Sequence, residues 1–164
     1  MKQFRENIII WLFEISQKAY CKFKKKTPWN ISNQELLKYP KHSFGYQLGR
    51  LLEANGFELL PKVERHDAYH LITGYGTTVQ EEIALQYCCF GNGKRTPYLL
   101  AVLVLGTILL PEYISFYMKS YHYGKRANSF HHFDFKTLLH VDFEKFRTII
   151  FTASNPFPIQ PKTV

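Results

Sequence analysis

The stretch that decides the fold runs from residue 59 to residue 90 and reads LLPKVERHDAYHLITGYGTTVQEEIALQYCCF. Within it, side chains of similar polarity recur every three or four residues, and this spacing predicts helices. Pro61 suits the first position of one helix, and Gly74 suits the residue that follows its last turn. Thr78 and Glu81 match a capping box, which predicts that the next helix begins there. Because only a few residues separate the two helices, we expect them to pack as an antiparallel hairpin.

The periodic pattern continues through most of the chain and predicts an all-α fold, a single domain of about six to eight helices. Asn55-Gly56 should end one helix, and Pro111 should bend a long one because proline lacks a backbone donor. In the first helix, Phe4 and Trp11 share a face that would pack on the core or lie in a membrane interface. Outside the opening stretch, the predicted helices cover residues 1–26, 44–54, 97–121, 135–139 and 141–150.

The composition is that of a globular protein, with 46% hydrophobic residues and a formal net charge of +8. A positive surface attracts anionic lipids and phosphorylated ligands, but no helix carries the Lys/Arg stripe of a nucleic-acid-binding module, so we expect no nucleic-acid partner. The cysteines form no C-x-x-C pair, which predicts a reducing compartment, with Cys88 and Cys89 buried. The N-terminus lacks a signal-peptide cleavage site, and the apolar run Tyr98–Leu110 is too short to span a bilayer.

Residues with metal-ligating side chains share one face of the first helix in the opening stretch. His66, Asp67 and His70 have the spacing that places them together, and histidines at i and i+4 can direct ring nitrogens at one ion. On the next helix, Glu82 lies at the edge of the apolar stripe, whereas Glu81 points nearly opposite. These side chains suit one divalent metal ion, with zinc as the first choice and iron or manganese as alternatives. They could also satisfy each other without an ion.

The metal motif, His66-Asp67-Ala68-Tyr69-His70 followed after eleven residues by Glu82, resembles the His-Asp-x-x-His plus distant Glu signature of the coenzyme Q (ubiquinone) biosynthesis protein 4 family. Residues 48–52, Leu-Gly-Arg-Leu-Leu, and residues 124–127, Gly-Lys-Arg-Ala, resemble two further family segments, and residues 134–147 match the C-terminal helix more loosely. The similarity covers roughly residues 41–150. The chain departs from the family in its N-terminal helix, its Cys88-Cys89 pair and its proline-rich tail.

The resemblance implies a metalloprotein that acts on a polyprenylated aromatic quinone precursor, through metal-dependent oxidative decarboxylation of the head group. His66, Asp67, His70 and Glu82 would be both metal ligands and catalytic residues, with no other cofactor-binding residue; Asp67 could instead orient a histidine through its other ring nitrogen. The alternative is a non-catalytic lipid-binding scaffold that presents quinone intermediates to other enzymes of the pathway.

The expected partners are a polyprenyl lipid or quinone precursor, a membrane surface, other quinone-biosynthesis enzymes and a second copy of the chain. The expected location is the cytoplasm, peripheral to the inner membrane in a bacterium. In this organisation, residues 1–26 form an amphipathic helix of the same domain, residues 41–150 form the helical metal-site domain, and residues 152–164 form an extended proline-rich tail.

Overall fold

The computed structural model describes residues 2–23 and 25–152, and side chains of residues 2, 17–21 and 23 are outside the description. The described residues contain eight α-helices and no strand, which confirms the all-α prediction. The helices are α1 (Lys2–Phe23), α2 (Asn33–Leu36), α3 (Phe44–Asn55), α4 (Glu64–Thr73), α5 (Val79–Gly91), α6 (Pro97–Leu109), α7 (Ile114–Arg126) and α8 (Phe143–Ile150). The predicted extended tail lies outside the described residues, except for Thr152.

The chain divides into two compact units. Among the described residues, unit I comprises residues 2–16, 75–132 and 149–152, and unit II comprises residues 17–23, 25–74 and 133–148. The division passes between α4 and α5, so the predicted antiparallel hairpin of these two helices stays a prediction.

Close packing of α5 on α7 dominates unit I, and glycines make it possible. A Cβ atom on Gly124 would run into the carbonyl oxygen of Cys88, and one on Gly91 would run into that of Tyr121. At these two glycines the backbones of α5 and α7 are closer together than any residue larger than glycine would allow. Asn92, which follows α5, secures the chain after α7: its amide donates to the carbonyl oxygens of Gly124 (3.1 Å) and residue 128 (3.2 Å) and accepts from the backbone N–H groups of residues 130 (2.9 Å) and 131 (3.1 Å).

The core of unit II is built from aromatic rings. The ring of Phe135 lies 5.7 Å from that of Phe44 on α3 and 5.6 Å, edge-on, from that of Tyr69 on α4. Phe146 on α8 meets the ring of Phe44 at 5.8 Å, again edge-on. Aromatic pairs prefer such separations and tilts. The cluster fixes α4 in unit II through Tyr69.

Several helix boundaries differ from those predicted. α4 begins at Glu64 rather than at Pro61, because Lys62 has a φ of +73°, a left-handed conformation that interrupts a helix. The predicted helix over residues 97–121 is two helices: α6 ends at Leu109, a 3-10 turn covers Pro111–Tyr113, and the axis turns by 104°. The bend near Pro111 is thereby confirmed.

The predicted apolar faces of α1 and α5 differ in part from those observed, and for α1 the alternative of packing on the core was wrong for two of its residues. On α1, Phe4 is 69% exposed and Trp11 59%, whereas Ile9, off the predicted face, is buried. On α5, the sequence predicts a buried stripe formed by Val79, Ile83, Tyr87 and Phe90. Ile83 is fully buried and the other three are half-buried, whereas Leu85, outside this stripe, is fully buried. α5 is buried on most sides, so no single stripe describes it.

Candidate metal centre

Two histidines one turn apart on α4 form the heart of the candidate site. The Nε2 atoms of His66 and His70 lie 3.0 Å apart, and the ring planes are nearly perpendicular, with centroids 4.6 Å apart. His70 is buried and His66 half-buried. Two ring nitrogens at this separation either share one proton or face a common cation. Tetrahedral Zn–N bonds of about 2.0–2.1 Å would place the nitrogens roughly 3.3 Å apart, close to the spacing observed.

The carboxylate of Glu82 completes a group of three possible ligands. One ligand atom from each of His66, His70 and Glu82 lies within 4.8 Å of the other two, and this group could hold a metal ion. Two imidazole nitrogens with one carboxylate oxygen form a donor set that suits zinc, iron or manganese. The part of the predicted set that the structure brings together is therefore these three residues.

Asp67, the fourth predicted ligand, is half-buried on α4 and is not a member of this group. Its place one residue after His66 fits the alternative role, in which a carboxylate orients a ligating histidine. Both roles for Asp67 stay predictions.

Glu81, next to Glu82, has a different task. Its carboxylate accepts hydrogen bonds from the hydroxyl of Thr78 (2.6 Å) and from the backbone N–H of Gly76 (3.2 Å), and the side chain is buried. The predicted capping box was wrong in detail, because the hydroxyl of Thr78 donates to this carboxylate and caps no backbone N–H. The choice of Glu82 over Glu81 as ligand candidate agrees with this arrangement, because Glu81 is engaged at the start of α5.

Contacts within unit II hold α4 at both ends. The carboxylate of Glu64 is buried and accepts a hydrogen bond from the backbone N–H of Trp29 at 2.9 Å. Near the other end, Nε of Arg147 donates to the carbonyl oxygen of Ile72 at 3.2 Å. Neither contact was foreseen, because both join residues far apart in sequence. They fix the helix that carries the two histidines.

Three other histidines offer no comparable ligand group in the described ranges. The hydroxyl of Ser129 lies 3.2 Å from Nδ1 of both His131 and His132, and the ring of His140 packs on Tyr39. Burial lowers the pKa of His131. None of the three joins a group that could hold an ion.

Gln86 was not singled out in the sequence, although its position four residues after Glu82 was a signal. The side chain is only 4% exposed, and its Oε1 has no hydrogen-bond partner among the described residues. It is the polar group nearest in sequence to the ligand candidate on the same face of α5.

Unit I also exposes many apolar side chains. On α1 these include Phe4 and Trp11, and on α6 they include Leu100, Val104 and Ile108. No single helix among the described residues is both long and apolar enough to cross a membrane; α6 and the bent segment after it reach the required length and hydropathy only when taken together.

Comparisons with known proteins agree with the motif. The family model for coenzyme Q (ubiquinone) biosynthesis protein Coq4 matches residues 60–153. The chain also resembles a crystal structure, at 2.85 Å resolution, of a Nostoc punctiforme protein assigned by name to ubiquinone biosynthesis, with a TM-score of 0.62, 20% sequence identity, and coverage of 93% of this chain and 82% of that one. At this identity the likeness shows the fold alone. No curated protein matches the chain significantly.

The family match includes all four predicted site residues and extends over more than half of the chain. The chain therefore belongs to the Coq4 family of ubiquinone biosynthesis proteins.

Proposed function

We propose that this chain is a metal-dependent enzyme that carries out oxidative decarboxylation of the head group of a polyprenylated aromatic quinone precursor. The observation that carries the proposal is the group of His66, His70 and Glu82, whose ligand atoms lie within 4.8 Å of one another. Catalytic metal sites in proteins commonly have three protein ligands and keep a further position for water or substrate.

The residues present suit a divalent ion by chemistry as well as by spacing. The two ring nitrogens are already 3.0 Å apart and bring no charge when neutral, and Glu82 supplies a negative charge. Asp67 would add a second negative charge as a ligand or would orient one of the rings. When bound, the metal would supply Lewis acidity toward the oxygen atoms of an aromatic hydroxy-acid.

The net reaction replaces the carboxyl group of the ring with a hydroxyl group. The bond from the ring to the carboxyl carbon breaks and carbon dioxide leaves, while one oxygen atom of dioxygen forms a new bond to the ring. A two-electron donor reduces the second oxygen atom to water. The task of the protein is to hold the carboxyl-bearing carbon of the ring beside Glu82 and the two histidines, and to keep the ring fixed while the bond breaks.

The first experiment is elemental analysis of protein purified without added metal. We expect about one divalent ion per chain in the wild type, and loss of that ion in His66→Ala, His70→Ala and Glu82→Gln. His122→Ala, which removes an exposed histidine of α7, is the matched control and should retain the metal. A His70→Ala protein that keeps its full metal content would remove the assignment, and a metal-free wild type would favour two histidines that share a proton.

The second experiment tests catalysis with a ring-carboxylated, prenylated hydroxybenzoate in the presence of dioxygen and a reductant. Release of carbon dioxide together with a hydroxylated ring is expected from the wild type, and not from Glu82→Gln. Metal-loaded protein that binds this lipid but never releases carbon dioxide would contradict the enzyme proposal.

A lipid-binding scaffold is the second candidate, and the exposed apolar side chains of unit I favour it. Large apolar side chains that stay in water are typical of surfaces that meet a lipid or another protein. In that case the metal would have a structural role or would bind a lipid head group, and its coordination shell would have no position open to a substrate. Binding of the lipid without turnover, with metal ligation saturated by protein groups, is the expected result for a scaffold.

A further inference from the structure

Gln86 carries a buried oxygen atom that no described residue contacts with a hydrogen bond. The side chain of Gln86 is 4% exposed, and its Oε1 has no hydrogen-bond partner in the described part of the chain. A buried carbonyl oxygen without a donor is costly, and folded proteins contain few of them. A bound ligand that donates a hydrogen bond to this oxygen would therefore remove the cost of burying it.

The position of Gln86 connects it to the candidate metal centre. Gln86 follows Glu82 by four residues on α5, so the two side chains lie on the same face, with their Cβ atoms roughly 5–6 Å apart. The residues three before and three after it, Ile83 and Cys89, are fully buried. An acceptor with apolar neighbours, one helical turn from a carboxylate ligand, suits an aromatic ring that carries a polar substituent.

We propose that Oε1 of Gln86 accepts a hydrogen bond from a ring hydroxyl of the aromatic ligand bound at the metal centre. The inference rests on the proposed function, since the metal at Glu82 is what would hold the ring there. A carbonyl oxygen accepts and cannot donate, so this contact selects a ring with a free hydroxyl over one that lacks it. Gln86 is in this way a specificity-determining residue for the head group.

The test compares two small probes, 4-hydroxybenzoate and benzoate, which differ only in the hydroxyl. Calorimetric titration of the metal-loaded wild type should show about tenfold tighter binding of 4-hydroxybenzoate. Gln86→Met keeps the length of the side chain and removes the carbonyl, so it should reduce that preference to about onefold, chiefly by weakening the binding of 4-hydroxybenzoate. Gln80→Met makes the same substitution elsewhere on α5 and should retain the full preference.

A second readout needs no ligand. Because Oε1 of Gln86 has no partner among the described residues, Gln86→Met without ligand should unfold at the same denaturant concentration as the wild type or a higher one. A lower unfolding midpoint would show that the amide serves the fold and would overturn the proposal.

The metal content of the same samples distinguishes a failure of the Gln86 proposal from a failure of the proposed function. Wild-type protein without stoichiometric metal overturns the proposed function. The role of Gln86 is overturned if the metal-loaded wild type shows no preference for 4-hydroxybenzoate. It is also overturned if metal-loaded Gln86→Met retains the preference. Neither result contradicts the proposed metal centre.

Discussion

The Nε2 atom of His66 lies 3.0 Å from the Nε2 atom of His70, one turn along α4, and this pair is the most direct sign of a metal centre in the chain. At this distance one ring can donate a proton to the other, or both can present a lone pair to a divalent cation. The metal interpretation is the second of these arrangements. The fixed helix α4 holds the two rings in position before any ion arrives.

Zinc should therefore stabilise the folded protein. After removal of metal with a chelator, addition of zinc to 100 times its dissociation constant should raise the free energy of unfolding by about 2.7 kcal/mol, and the melting temperature with it. Differential scanning calorimetry measures this increment. His70→Ala should lose it and His122→Ala should keep it, whatever either change does to the metal-free protein. An equal increment in His70→Ala would mean that zinc binds elsewhere.

The contact of Gly124 with Cys88 makes a second prediction, on stability. A methyl group at residue 124 has no room beside the carbonyl oxygen of Cys88, so in Gly124→Ala α7 must move away from α5. We expect a loss of at least about 3 kcal/mol in the free energy of unfolding, the upper part of the range for overpacked cores. Lys119→Ala, an exposed change on the same helix, should stay close to the wild type in urea denaturation. A small loss in Gly124→Ala would contradict the close approach of the two helices.

Local signals in the sequence predicted much of the fold. Asn55-Gly56 predicted the end of α3, and Gly56 has a φ of +66°, the left-handed conformation that such a helix stop needs. Gly74 ends α4 in the same way, with a φ of +76°. These outcomes depend on one or two neighbouring residues. A local signal for α2 was also present, because Ser32 and Glu35 form a complete capping box. The helix was not predicted because its four residues are too few to show a helical period.

The faces of the helices could not be predicted in the same way, because burial depends on residues far along the chain. Phe4 and Trp11 have the spacing of a core-facing stripe and are nevertheless exposed. The proximity of His66 and His70 was more predictable, since their spacing on one helix determines it. Gln86 was missed because a sequence does not show which buried oxygen lacks a hydrogen-bond partner; that is seen only in the described part of the structure.

The buried thiols of unit I should be unreactive in the folded protein. Burial raises the pKa of Cys89 to about 11, against an ordinary value of 9.0, and raises that of Cys88 as well. Both thiols therefore stay protonated at pH 8, and only the thiolate reacts with iodoacetamide. Peptide mass spectrometry should find both residues unmodified in native protein and modified in urea.

The same shifts predict how stability depends on alkaline pH. The folded state holds the thiol protons more tightly than the unfolded state does, so the cysteine contribution to stability is complete below about pH 9. It should fall as the pH rises toward about 11, where Cys89 itself begins to ionise. Urea denaturation at pH 8 and pH 10 measures the loss. Replacement of Cys88 and Cys89 by alanine should reduce the pH-dependent part of it, and an unchanged pH dependence would show that other groups cause it.

The exposed face of α6 leads to the last prediction, that unit I binds reversibly to anionic membranes. Val104 and Ile108 are 58% and 68% exposed and lie one turn apart, and Lys94 precedes the same helix. Apolar side chains that enter the interface and a nearby cation each add to binding, the cation by about 1 kcal/mol at an anionic surface. Binding to vesicles should therefore rise with the share of anionic lipid and fall with salt.

The double variant Val104→Ser and Ile108→Ser should lose most of this vesicle binding, whereas Leu60→Ser, an exposed change in unit II, should not. Co-sedimentation gives the bound fraction in each case. Binding that is indifferent to both lipid charge and salt would contradict the electrostatic contribution, and undiminished binding of the double variant would remove α6 from the contact.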